Sequence, residues 1–333
     1  MDMAVPRKLD DLVLYSLRED PQISEQMIVG ENERAKTDEL SDRILKSVYW
    51  EADREAAFAR YFESSDFKNT LKLINTFDIN PSAPLVEIGG GSGFLSWALT
   101  RSGFQDVSLL EPNPNFITGT GYLQTRADSK SITIENSLDR FYESSRSYET
   151  VVTRNCIHHF PNITFVAACI RQKLKDGGKW VVIREPYVET AIELYQFLQG
   201  HPYSQGYGIY EFGFPASHFI NCIEMAGFEL SAVVPATYAN DALAMYSEEQ
   251  GSTRNRLFTK TADMLLKRLP SATCTAYRIE QLLRAISGSK RSLFTKPQVM
   301  LFEKTDLGEL SPATIWYQSN ATSQSVDASS KAA

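Results

Sequence analysis

The segment Glu87-Ile88-Gly89-Gly90-Gly91-Ser92-Gly93 sets three alternate glycines behind an acid and the apolar run Leu85-Val86-Glu87-Ile88. Glycines at a strand-to-helix turn permit positive φ and let a ligand lie against bare backbone, while the N–H groups of a helix start attract a carboxylate or a phosphate. About twenty residues further on, where such sites carry an acid for the ribose, Glu111 follows the apolar Val107-Ser108-Leu109-Leu110. A carboxylate there accepts hydrogen bonds from two vicinal ribose hydroxyls, whichever nucleoside is bound. These residues together read as a site for a nucleoside that carries an anionic group.

The nicotinamide fingerprint GxGxxG requires a third glycine, and counting on from Gly89 and Gly91 lands on Phe94. That disfavours a nicotinamide-dependent oxidoreductase. The residues instead spell ExGxGxG, which resembles the first motif of class I S-adenosylmethionine-dependent methyltransferases, and the resemblance runs from about Leu85 to Phe228. It implies S-adenosylmethionine as cofactor. Glu111 would hold its ribose, Gly89, Gly91 and Gly93 would pass beside its methionine portion, and Glu87 would lie near the amino group through water or backbone. Asn136 and Ser137 fall where this family contacts the adenine amine, with Asn136 in place of the usual Asp; a plain turn is the competing role for Asn136.

The run Thr153-Arg154-Asn155-Cys156-Ile157-His158-His159-Phe160-Pro161 resembles the family segment that reads polar pair, two apolar residues, histidine pair. By that match Thr153 lines the methionine part of the cofactor and His158 or His159 faces the crevice. Methyl transfer from a sulfonium chiefly needs alignment of the nucleophile. A hydroxyl acceptor must also lose a proton, and histidine is the natural base. A structural hydrogen bond at the strand end competes with catalysis for both histidines. On the acceptor side, Glu185, His201, Tyr207 and Tyr210 follow the next strand and form an aromatic wall with polar tips, as a small organic acceptor requires, although loop packing would leave the same pattern.

The elements that position these groups alternate. Strands are expected at 85–88, 107–110, 132–135, 150–153 and 179–184, with helices between them, and the helix Thr164 to Leu174 is expected to end at Gly177-Gly178. Phe228 to Val234 and Gln298 to Glu303 are read as the last two strands. The fold class is α/β: a doubly wound, seven-stranded Rossmann-like sheet with an N-terminal helical cap and a helical insertion before the last strand, which the resemblance makes antiparallel. The expected division is a cap over 1–80, a cofactor-binding core over 81–239, a helical lid over 240–296, the last strand over 297–317 and a disordered tail over 318–333.

The 333 residues carry 41 acidic and 34 basic side chains, a net charge of -7, which opposes nucleic-acid binding. Cys156, Cys169, Cys222 and Cys274 form no CxxC pair, so neither a disulfide scaffold nor a metal site is indicated. With no secretory start and no apolar run long enough for a membrane span, a cytoplasmic protein is expected. The function expected is methyl transfer to a small molecule, first at oxygen. The alternatives are a protein or RNA methyltransferase, for which Arg254, Arg256, Lys260, Lys267, Arg268, Arg284, Lys290 and Arg291 supply basic residues, and a non-catalytic cofactor-binding partner subunit.

Overall fold

The computed structural model describes residues 21–160, 162–200, 213–235, 264–288, 294 and 296–306. Four helices lead: α1 (Pro21–Ala35), α2 (Glu39–Val48), α3 (Arg54–Glu63) and α4 (Ser65–Thr76). Asp38, Asp53 and Ser64 start the last three of these, each side chain accepting from the backbone N–H three residues on. The chain then alternates through β1 (Leu85–Ile88), α5 (Phe94–Arg101), β2 (Val107–Leu110), α6 (Gly121–Thr125), β3 (Thr133–Glu135), α7 (Leu138–Glu143), β4 (Tyr148–Arg154), α8 (Ile163–Lys173), β5 (Leu174–Ile183) and α9 (Ala191–Gly200). It continues with α10 (Ala216–Met225), β6 (Phe228–Val234), α11 (Ser271–Ser287) and β7 (Val299–Lys304).

The seven strands form one sheet in the order β3-β2-β1-β4-β5-β7-β6. The strands β1 to β5 run parallel, and β7 enters antiparallel between β5 and β6. Strand order reverses between β1 and β4, so a crevice opens there beyond the carboxyl ends of the strands. The doubly wound architecture expected from the alternation is present. Each face carries its own core, as the period of two along a strand demands. One joins Phe58, Tyr61, Phe67 and Ile74 of α3 and α4 and Phe94 of α5 to Val152, Val181 and Ile183; the other joins Val166 and Ile170 of α8, Phe219 of α10 and Tyr277 of α11 to Val86, Val151 and the fully buried Trp180.

Two local expectations change. Helix α8 ends at Lys173, and Gly177 (φ 68°) turns the chain inside the span of β5 instead of capping the helix. The early start of β5 at Leu174 follows from its pairing with Tyr148, across an irregularity in register before Thr150. Of the expected lid, residues 264–268 form a helical turn leading into α11, whereas 240–263 and the expected tail lie outside the described residues. Among the described residues no helix is long and apolar enough to cross a membrane.

Candidate functional site

The chain leaves β1 through three glycines in the left-handed region, Gly89 (φ 69°), Gly91 (φ 55°) and Gly93 (φ 77°). A Cβ on Gly89 would stand 2.2 Å from Cys156 Sγ, so the loop after β4 presses directly on this turn. At Gly91 the nearest atom to a Cβ is Thr118 O at 3.6 Å, ordinary contact. Its torsion, not crowding, calls for glycine, and the backbone there is open to a ligand.

Glu87 points down from β1 and is 2 % exposed. Its Oε2 accepts from the Ser96 backbone N–H at 2.9 Å and from Ser96 Oγ at 2.5 Å, which ties the strand to α5. Burial pushes its carboxyl up to about 7, against the pull of Ser96 and the charge of Arg154. Glu111 stands beyond β2, with Oε2 accepting from the Gly91 N–H and Oε1 from the Asn113 N–H, both at 2.8 Å. Burial raises its carboxyl too, opposed by those two backbone donors. The two acids thus sit at one end of the sheet, the second bonded to the glycine turn itself.

Asn136 braces the same corner, its Nδ2 donating to Glu111 O at 2.6 Å and to Thr120 Oγ1 at 3.1 Å. Ser137 begins α7, its Oγ accepting from the Arg140 N–H at 3.4 Å. Thr153, expected beside the methionine part of the cofactor, is fully buried, and its Oγ1 accepts from the Trp180 indole N–H at 3.0 Å.

After β4, residues Ile157–His159 make a single 3-10 turn. Glu185, which follows β5 and was expected to line the acceptor pocket, is instead buried beneath this turn. Its Oε1 accepts from the N–H groups of Cys156 (2.9 Å) and Ile157 (3.0 Å), and its Oε2 accepts from the His158 N–H (3.2 Å) and meets His158 Nδ1 at 2.7 Å. Burial alone would raise this carboxyl, but His158 and the backbone donors outweigh it and hold the group below its ordinary value. His158 is 1 % exposed; His159 is half-buried, with its ring centroid 4.0 Å from that of His158. His201, Tyr207 and Tyr210 lie outside the described residues.

Sequence reasoning missed one constellation. Arg154, the last residue of β4, and Arg184, directly after β5, both reach Asp66 Oδ2 in the first turn of α4, Arg184 Nη1 at 2.9 Å. The Arg154 guanidinium also lies 5.0 Å from the Tyr61 ring centroid. A charged residue at the end of each of two adjacent parallel strands was the available signal, and its partner is remote in sequence.

A family described as a methyltransferase domain matches residues 49–233, more than half of the chain. No curated protein matches the sequence. Among solved structures, the chain is similar to a candidate sarcosine dimethylglycine methyltransferase from Galdieria sulphuraria, at 16% identity over 72% of this chain and 84% of that one, with a TM-score of 0.45. It is also similar to a candidate methyltransferase from Bacillus halodurans C-125, at 13% identity over 71% and 97% with a TM-score of 0.42. A mitomycin 7-O-methyltransferase shares 19% identity over 55% and 53%, with a TM-score of 0.40. With the motif, the strand order and the domain match in agreement, the chain belongs to the class I S-adenosylmethionine-dependent methyltransferases.

Proposed function

We propose that this enzyme binds S-adenosylmethionine at the β1–β2 end of the crevice and transfers its methyl group to a small molecule, at oxygen. The observation that carries the reading is the hydrogen bond from Gly91 N–H to Glu111 Oε2, because it joins the glycine turn and the ribose acid into one unit. The open backbone at Gly91 and the positive φ of Gly89, Gly91 and Gly93 fit a ligand laid along the turn. The carboxylate of Glu111 has further lone pairs for the ribose hydroxyls, Asn136 keeps its backbone in place, and Ser137 lies beside the adenine end.

When bound, the cofactor supplies a methyl group on a cationic sulfur that departs neutral. The protein's task is then to align an acceptor and, for a hydroxyl, to take its proton. We assign that proton to His159, the more exposed of the pair, and treat Glu185 and His158 as positioning residues that fix the turn carrying it. His159→Gln should lower kcat at unchanged cofactor affinity, and equal loss of both would overturn the assignment. Four unpaired cysteines suit a reducing compartment such as the cytoplasm.

Calorimetric titration with S-adenosylmethionine, S-adenosylhomocysteine and NADH, repeated on Glu111→Ala, tests the cofactor reading. Binding of the first two, lost in the variant, is expected; binding of NADH alone, or of none, overturns it.

A further inference from the structure

We infer that Arg154 and Arg184 form a binding site for the carboxylate of the methyl acceptor; that this carboxylate belongs to the acceptor rests on the methyl-transfer reading above. The position comes from topology. Glu111 and the glycine turn occupy the β2–β1 side of the switch point, while β4 and β5, which carry the arginines, lie on its other side, in register at Arg154 and Ile183. A ligand that meets a nucleoside at β1 approaches across β4 and β5.

Asp66 is the acid both guanidiniums reach, and Glu87, the other acid whose charge acts on Arg154, is itself pushed up to about 7 by burial. Two guanidiniums share one carboxylate oxygen, at side-chain exposures of 14% for Arg154 and 10% for both Arg184 and Asp66. Among the described residues, the buried Nε atoms of both arginines, Asp66 Oδ1, Tyr61 Oη and Thr70 Oγ1 have no hydrogen-bond partner. Native proteins leave about a few such groups per hundred residues, and here four belong to Arg154, Arg184, Asp66 and Tyr61, which meet in one charge cluster, with Thr70 one helical turn beyond Asp66. Arg184 also adopts φ 56° and the adjoining Asn155 φ 50°, torsions costly for side chains with a Cβ. Strain of this kind gathers where a ligand is gripped.

The chemistry selects a carboxylate. Asp66 already sets one carboxylate oxygen between the two guanidiniums, so their spacing accepts that group, and each planar fork has donors to spare for a second one. An entering carboxylate would supply the acceptors that the two unpaired Nε donors lack.

The test is calorimetric titration of the full chain with acetate, benzoate and inorganic phosphate at constant ionic strength, with and without S-adenosylhomocysteine. Saturable binding of a carboxylate is expected, weakened about tenfold in Arg184→Gln, as loss of a charge-assisted fork implies. Asp66→Asn removes the internal competitor and should tighten the same binding several-fold, a change opposite to that of a variant that merely fails to fold. Absence of saturable carboxylate binding, indifference to both substitutions, or preference for phosphate would overturn the site. Binding of S-adenosylhomocysteine without carboxylate binding sinks this inference alone; the reverse keeps the carboxylate site and sinks the proposed function.

Discussion

One oxygen of Glu185 fixes two parts of the same residue: Oε2 meets the ring of His158 at 2.7 Å and accepts its backbone N–H at 3.2 Å. Ring orientation and turn geometry are therefore a single variable. The carboxamide in Glu185→Gln would turn an NH2 toward backbone donors, so at least one of four contacts is lost. We expect a destabilisation of about 3–5 kcal/mol, as for a broken buried pair, read from denaturant unfolding at neutral pH. Because the folded-state carboxyl sits below its ordinary value, its stabilisation is complete above the unfolded value and disappears as pH falls through the lower folded one. The variant should accordingly show a flatter acid limb than the parent; parallel acid limbs would argue that Glu185 is not held ionised.

Glu87 has the opposite sign. Its folded value of about 7 lies above the unfolded one, so its contribution is fully present below the unfolded value and is lost as pH rises towards 7. Glu87→Gln still offers an oxygen to Ser96 but does not titrate. The variant should gain on the parent by about 3 kcal/mol between pH 4.5 and 7, the linkage equivalent of the shift. Paired urea titrations across that range measure the gap, and a constant gap would contradict the raised value.

Gly89→Ala meets two separate obstacles, the left-handed torsion and the Cys156 sulfur. Removing the sulfur in Cys156→Ala should relieve most of the second, leaving the Cβ at that position 3.2 Å away. A double-mutant cycle is expected to recover part of the loss and leave about 1–2 kcal/mol, the residual cost of a Cβ at positive φ. Full recovery would mean that torsion is unimportant at this turn.

Thr153→Val keeps shape but removes the acceptor for the Trp180 indole N–H, which is wholly buried. A loss of about 1–3 kcal/mol follows from leaving that donor unmatched. Unfolding followed by tryptophan fluorescence reads both the stability and the local change, and an unshifted midpoint would show that the indole finds another partner.

Strands bounded by apolar residues were legible in the sequence: β1, β2 and β6 begin and end on hydrophobic residues, with Glu87, Ser108, Glu229 and Ser231 inside them. The glycine turn and Glu111 were legible as well, since torsion and strand-end position speak through residue type. The start of β5 was not, because Leu174 pairs with Tyr148 through Lys175, Asp176 and two glycines, a stretch with no strand character of its own. Nor was the burial of Glu185. An acid after a strand looks the same whether it faces a ligand or caps a turn, and only the arrival of Cys156, Ile157 and His158 decides it. The Arg154–Asp66–Arg184 contact joins residues 88 and 118 positions apart, beyond the reach of any local pattern.

The placement of β7 between β5 and β6 has a consequence for synthesis on the ribosome. The strand emerging last in this sheet fills an inner slot, so until residues Val299–Lys304 appear, β5 and β6 each present an unpaired edge. A nascent chain halted before that point has an open edge on β5 and leaves β6, whose sheet partner among the described residues is β7, without a strand to pair with, surfaces that a chaperone would shield.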